Sequence, residues 1–297
     1  MTLTAESFEK LQKSLPNARD VTSFDLSAIN QLVEHVPEDM TATVQAGMSV
    51  ATFQANLANH GQWLPIDPPQ PEVTSVGALL GGNANGPRRF GFGTIRDWLI
   101  GIAVVLPDGR LVRNGGKVVK NVAGFDLCKL FVGSRGTLGV IVEATFKLLP
   151  LPESEVFLRC ECESLEEAKT LIERIWASDL QPSVLDLHYL ESGSLTLVLG
   201  LSGAKADVDA QVEGAHEMKI NKPGDLAHDG SFRSKSHAFA AAPPDKLIEQ
   251  LQDIKPFVAR AGNGIYYFRG EPTLHKPSAL EQRIKRSFDP KGILPAP

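Results

Sequence analysis

The residues with the most chemical promise lie in Val73-Thr-Ser-Val-Gly-Ala-Leu-Leu-Gly-Gly-Asn-Ala-Asn-Gly-Pro-Arg-Arg-Phe-Gly-Phe-Gly93, which holds six glycines in 21 residues. A diphosphate needs several backbone N–H groups aimed at it. It also needs a main chain without bulky Cβ atoms, so that it can come close. Gly77, Ala78, Gly81, Gly82 and Gly86 supply small residues, Thr74 and Ser75 supply hydroxyls, and Asn83 and Asn85 add neutral donors. Ser75 is placed to cap a short helix whose N-terminus favours anions. The alternative is a glycine-rich loop that merely lets two elements pack closely, and composition alone leaves both open. Two familiar nucleotide motifs fail on spacing. Gly91-Phe-Gly93-Thr-Ile-Arg96 breaks G-x-G-x-x-G at its third glycine and precedes a strand. Gly115-Gly116-Lys117-Val118 lacks the upstream Gly and the Ser/Thr of a Walker A loop.

Other reactive side chains are scattered. His35, His60, His188, His216, His228, His237 and His275 show no H-x-x-H or H-E-x-x-H spacing, so no metal site is expected. His188 and His275 qualify as base candidates only by their position in the second half. Arg88-Arg89 is read as a solvated pair, with neutralisation of a phosphate or substrate carboxylate as the alternative. Cys160 and Cys162, on an alternating strand, are expected to face opposite ways and to make a poor redox pair; Cys128 is expected in the core. Three cysteines with no C-x-x-C pair fit a reduced, cytosolic compartment.

The elements that must position these residues follow from periodicity. The chain has 297 residues, enough for about two domains. A net charge of -5 with interleaved signs gives no basic stripe for nucleic acid or an anionic membrane. The N-terminus lacks the apolar run of a signal peptide, and the apolar run from Trp98 to Leu106 is too short to span a bilayer. Residues 5–15 carry a weak helix pattern, 41–47 a strand, and Ser49 caps a helix closed by Gly61. Three prolines make Asp67–Glu72 a rigid loop. Pro107-Asp-Gly109 joins Ile100–Leu106 to Arg110–Arg113 as a hairpin. Pro150 and Pro152 mark a boundary. Beyond it, a strand at 155–162, a helix capped by Ser164, strands at 184–190 and 194–201 and a helix from about Ala204 make a ferredoxin-like order. Residues 246–258 read as a helix and 264–269 as a last strand.

The ordered blocks Val73-Thr-Ser-Val-Gly-Ala, Asn83-Ala-Asn-Gly86, Gly91-Phe-Gly93, Asp97, Leu106-Pro-Asp-Gly109, Gly116 to Leu127 and Leu130-Phe-Val-Gly-Ser-Arg-Gly-Thr-Leu-Gly-Val-Ile141 resemble the second half of the FAD-binding domain of the vanillyl-alcohol oxidase/p-cresol methylhydroxylase (PCMH) flavoprotein superfamily. Gly61-Gln-Trp-Leu-Pro-Ile-Asp-Pro-Pro69 and Lys120-Asn-Val-Ala-Gly-Phe-Asp126 are most similar to the FAD-binding subunits of glycolate oxidases, and Ile284 to Leu294 to the family's closing segment. The resemblance covers residues 25–150 and 281–294. It implies that Thr74, Ser75, Val76 and Gly77 contact the diphosphate and that Asn83, Asn85 and Gly86 lie beside the flavin. Gly91, Gly93 and Asp97 would form the turn that follows. Gly133, Gly136, Gly139, Val140 and Ile141 would line the adenine and ring edge. Four features depart from the pattern, one being a tail that reads Leu294-Pro-Ala-Pro297 where the family has Asn-Pro-Gly. The first 46 residues hold no glycine, where the family has a glycine-rich loop on the other side of the diphosphate. Arg135 stands where many relatives have Glu or an apolar residue, and Phe125 where Tyr is common.

The expected fold is therefore α+β. A PCMH-type FAD-binding domain over 1–152, shortened at its N-terminus, precedes a ferredoxin-like cap over 153–297 for substrate or subunit contact. The expected cofactor is FAD, non-covalent and held weakly or lost. The resemblance implies a subunit of a flavin-linked 2-hydroxy acid oxidoreductase of glycolate oxidase type, assisting a catalytic flavoprotein partner and an iron–sulfur subunit. Its expected place is the cytoplasm, peripheral to the inner membrane through those partners. The competing expectation is a cofactor-free structural subunit that keeps the fold for assembly. No catalytic residue is assigned.

Overall fold

A computed structural model describes residues 1–116, 127–236, 238–271 and 276–296. The Lys120–Asp126 motif, Phe125, His237 and His275 lie outside the described residues. The chain divides into two compact units. The first comprises Met1–Asn85, Thr94–Leu151 and His275–Pro297, and the second Gly86–Gly93 and Pro152–Leu274.

The first unit is built on a five-stranded antiparallel sheet in the order Leu32–Val36, Thr41–Gln45, Val140–Lys147, Leu99–Val105, Leu111–Gly115. The apolar run after Trp98 is its fourth strand, and the Asp108-Gly109 turn returns the chain as expected, with Gly109 at φ +85. The central strand Val140–Lys147 is buried over its first three residues and from Val142 alternates buried and half-buried ones, because there one face meets the core and the other is partly open. Helix Val50–Ala58 is capped by Ser49, whose Oγ accepts from the Thr52 N–H at 3.1 Å. It buries Val50, Phe53 and Leu57, and Phe53 packs on Phe146 with ring centres 5.8 Å apart.

The sequence places 276–296 in the cap, but this segment is part of the first unit. The reason is apolar burial: Ile293 and Leu294 enter the same core as Leu3, Leu11, Leu15, Val105 and Val142. Asp289, 3% exposed, pins the tail there by accepting from the Ile293 and Leu294 amides at 2.9 and 2.8 Å and from Lys285 Nζ at 2.6 Å.

The second unit carries a seven-stranded antiparallel sheet. Its first four strands in chain order, Ser154–Cys162, Val184–Tyr189, Leu195–Gly203 and Lys222–Pro223, lie in the spatial order fourth, first, third, second. With helices Leu165–Trp176 and Lys205–Glu217 this is the ferredoxin-like arrangement. Phe257–Arg260, Ile265–Phe268 and Ala238–Ala241 extend it beyond Val184–Tyr189. The helix expected over 246–258 is cut to Leu247–Leu251, because Pro256 offers no N–H and disfavours helix before it, while Phe257 and Val258 pair in the sheet. A second correction concerns Cys160 and Cys162. Residues two apart on a strand share a face, and both thiols enter one apolar core beside Leu158 and Leu197, near enough to hydrogen-bond to each other. Among the described residues no helix is long and apolar enough to cross a membrane.

Burial pushes the Asp289 carboxyl up, but the Lys285 ammonium and the Ile293 and Leu294 amides outweigh it and hold the group below the usual aspartate range. A depressed carboxyl stabilises the fold above its unfolded pKa and loses that contribution as pH falls through the folded value. Acid titration of stability below about pH 4 should therefore be shallower in Asp289→Asn than in the wild type, with lower stability at neutral pH. Parallel acid limbs in chemical denaturation would contradict this.

Candidate functional site

The glycine-rich stretch forms helix Val76–Gly82, capped by Ser75, whose Oγ accepts from the Ala78 N–H at 3.1 Å. Val76, Leu79 and Leu80 are fully buried, the i, i+3, i+4 stripe that docks the helix. The remaining positions, Gly77, Ala78, Gly81 and Gly82, line a cavity of about 460 Å³. That size falls within the roughly 300–1,000 Å³ of small-molecule and cofactor sites.

Glycine costs about 1 kcal/mol relative to alanine inside a helix, so each needs a reason. Gly77 has one in packing, because a Cβ there would stand 3.1 Å from the Ala46 Cβ. Gly81 and Gly82 have none. A Cβ on Gly82 would meet nothing within 4 Å, and one on Gly81 only the Arg135 Cα at 3.9 Å. Their bareness serves the cavity, where a Cβ would take up space.

The facing wall comes from Thr22 to Ser27, with Ser27 N–H donating to Asp25 Oδ1 at 3.0 Å. Gly47 closes the corner. A Cβ there would sit 1.9 Å from the Leu26 carbonyl oxygen, so the chain reaches this corner only as glycine. Gly136, Gly139, Val140 and Ile141 complete the lining with Val73, Arg135 and Pro295. Gly136, at φ +78, lies against the Phe24 ring, and Gly139 against Val104.

Of the residues singled out in the sequence, Ser75, Gly77, Ala78, Gly81, Gly82, Arg135, Gly136, Gly139, Val140 and Ile141 meet at this cavity. The others have structural duties. Thr74 Oγ1 donates to the Pro69 carbonyl at 3.0 Å, and the Val76 and Gly77 amides donate to Met48 and Ala46 carbonyls at 2.9 and 2.7 Å. Asn83 ends the helix in a left-handed conformation, φ +47. Buried Asn85 accepts from the Ile95 N–H at 2.8 Å and donates to the Asn83 carbonyl at 2.7 Å. Gly133, φ +83, donates to the Leu80 carbonyl at 2.9 Å. Asp97 closes a capping box, and its hydrogen bonds from the Thr94 N–H and hydroxyl, both 2.8 Å, hold its carboxyl below the usual range. Gly86, Gly91 and Gly93 belong to the second unit. Gly91 is bare because a Cβ would meet the Ser183 Cα at 2.6 Å. Arg88 is not a free cation: it forms a two-point pair with Glu155 at 2.6 and 2.9 Å. The segment 22–27 and Gly47 carry no local signal, since only pairing with distant strands brings them here.

In the second unit His188 is 2% exposed, its Nε2 3.6 Å from Asp186 Oδ2. Arg260, equally buried, pairs with Asp186 and Asp229 together. The His228 ring lies 5.3 Å from His188, and burial, reinforced by His188, pushes it below the ordinary histidine range. Among the described residues no group of three or more His, Cys, Asp or Glu is arranged to hold a metal.

Comparison with known proteins covers most of the chain. Residues 11–115 match the family described as FAD binding domain. The chain is 34% identical over 244 residues to glycolate oxidase subunit GlcD of Bacillus subtilis, covering 77% of this chain and 52% of that one. It is 36% identical over 193 residues to glycolate oxidase subunit GlcE of Escherichia coli, covering 64% and 53%. The chain thus spans about half the length of these relatives. Its fold is similar to a solved alkyldihydroxyacetonephosphate synthase, with a TM-score of 0.72 at 15% identity, covering 99% of this chain and 76% of that one.

Two substitutions separate glycines kept for packing from those kept for space. Gly82→Ala should leave stability unchanged or raise it by up to about 1 kcal/mol, whereas Gly47→Ala should cost about 1–3 kcal/mol or more. Urea titration reads both, and equal losses would refute the distinction. In the second unit, Arg260→Met should cost about 3–5 kcal/mol, because it removes the cation between two buried carboxylates and leaves Asp229 only Arg233, at 3.7 Å. A wild-type melting temperature would contradict that.

Proposed function

We propose that this chain, whose residues 11–115 match the FAD binding domain family and which is similar to glycolate oxidase subunits, is an FAD-linked oxidoreductase subunit assisting oxidation of a 2-hydroxy acid to a 2-oxo acid. The observation that carries this is the face of Gly81 and Gly82, bare where packing does not require it and turned to a cavity of cofactor size. Ser75, Gly77, Ala78, Gly81 and Gly82 would hold FAD from one side, and Gly136, Gly139, Val140 and Ile141 from the other. Thr74, Val76, Asn83, Asn85, Asp97 and Gly133 keep that wall in place. When bound, FAD supplies a two-electron acceptor for the hydride of the hydroxy acid.

The chain's own residues bind, orient and exclude water. Val76, Leu79 and Leu80 anchor the wall in the apolar core, so the glycine face is presented rigidly. Binding is non-covalent on this reading, for no Cys, His or Tyr is among the described residues lining the cavity. The second unit is the cap, for substrate or subunit contact. With no base or metal cluster assigned, the chain works with a catalytic flavoprotein subunit and an iron–sulfur subunit. Any membrane location is peripheral, through them.

One observation favours a second reading, the cofactor-free structural subunit: the Val76 and Gly77 amides are already bonded to Met48 and Ala46. Visible absorbance of the purified chain after incubation with FAD and gel filtration separates the two. Flavin bands in stoichiometric amount, lost in Gly82→Leu with an unchanged melting temperature, support the FAD reading. A colourless wild-type protein supports the structural one.

A further inference from the structure

The electrostatics of the cavity reduce to two side chains. Among its described lining residues, Arg135 is the one cation and Asp25 the one anion. Asp25 is already engaged: the Ser27 N–H donates to it, and that bond holds its carboxyl below the usual range. Arg135 is exposed, and its guanidinium makes no hydrogen bond or ion pair with the described residues.

Its backbone makes this unusual. Arg135 sits at φ +50, the left-handed region that side-chain-bearing residues disfavour. Its neighbours Gly133 and Gly136 also have positive φ, so the loop already uses glycine for such positions. The conformation is imposed from outside. The Gly133 and Arg135 amides donate to the Leu80 and Gly81 carbonyls, both at 2.9 Å, clipping the loop to the end of the helix whose glycine face forms the cavity. A glycine at 135 would satisfy that clip without strain. The guanidinium is therefore what the position keeps, on a residue that lines the cavity and pairs with none of the described residues.

The helix cannot supply that charge complement through its first amides, since those of Val76 and Gly77 are spent on Met48 and Ala46. We infer that Arg135 is the phosphate-recognising residue of this cavity, pairing with the diphosphate of the nucleotide bound there. The inference rests on the cavity being the nucleotide site proposed above, but not on the nucleotide being a flavin. The shared chemistry is a nucleoside diphosphate, as FAD or as an ADP-type ligand. A guanidinium suits it, being permanently charged and able to bond two phosphate oxygens at once.

Titrations of the full chain with FAD, ADP and riboflavin, at low and high salt, test this. For FAD and ADP, Arg135→Gln should weaken binding about tenfold or more at low salt, with a smaller loss at high salt. Arg135→Lys should recover part of the affinity and the salt dependence. Riboflavin, which has no phosphate, should bind both variants as it binds the wild type, and melting temperatures should not change. A merely structural role predicts instead a lower melting temperature and equal losses for all three ligands, and that result overturns the inference. So does unchanged binding of FAD and ADP by Arg135→Gln, although the flavin reading then stands. ADP binding that depends on Arg135, without FAD binding, keeps the inference and removes the flavin reading. A wild-type chain that binds neither removes both.

Discussion

The candidate site depends on one splice between distant parts of the chain. Val76 N–H donates to the Met48 carbonyl, Gly77 N–H to Ala46, and Val50 N–H to Thr74, all within 2.9 Å. These bonds tie the start of a glycine-rich helix to the end of strand Thr41–Gln45. They bring the backbones so close that a Cβ on Gly77 would stand 3.1 Å from the Ala46 Cβ. Once the helix is fixed there, its apolar stripe must enter the core and its glycine face must turn to the cavity.

That arrangement has a physical cost. Amides used to fix a wall are not available to a ligand, since each donates one proton. The wall therefore contributes access more than charge. A planar or phosphorylated ligand can lie against a main chain without Cβ atoms, and electrostatic complement has to come from a side chain on a different segment. Glycine's usual explanation, conformational freedom, accounts for little in the helix itself. Gly81 and Gly82 are not among the positive-φ residues, and what distinguishes them is the empty space in front of them.

The second unit handles polar groups in the opposite way. Asp186, Asp229 and His188 are almost fully buried, and Arg260 binds both carboxylates from a strand in the middle of the sheet. Two carboxylates in a low-dielectric interior need a cation close by, and the guanidinium provides it with two-point geometry. His188 and His228 are drawn into this cluster instead of lying alone on the surface. Such a network ties three segments of chain to a single packing, because misplacing any one strands a buried charge.

Local features were legible in the sequence where cause and effect are a few residues apart. The Ser49, Ser75 and Ser164 caps, the Asp108-Gly109 hairpin and the apolar strand after Trp98 all follow from short-range chemistry. The fold family was legible because its glycine-rich blocks keep their order over more than 100 residues. The shared face of Cys160 and Cys162 was equally available from the two-residue period of a strand. What each glycine is for was decided only in three dimensions. Gly91 answers to Ser183, Gly47 to Leu26 and Gly139 to Val104, while Gly82 answers to open space. Helix and strand likewise divided at Pro256 because a partner strand was waiting for Phe257. A missing Cβ looks the same in any sequence, and its reason is the atom, or the emptiness, that the rest of the chain brings opposite it.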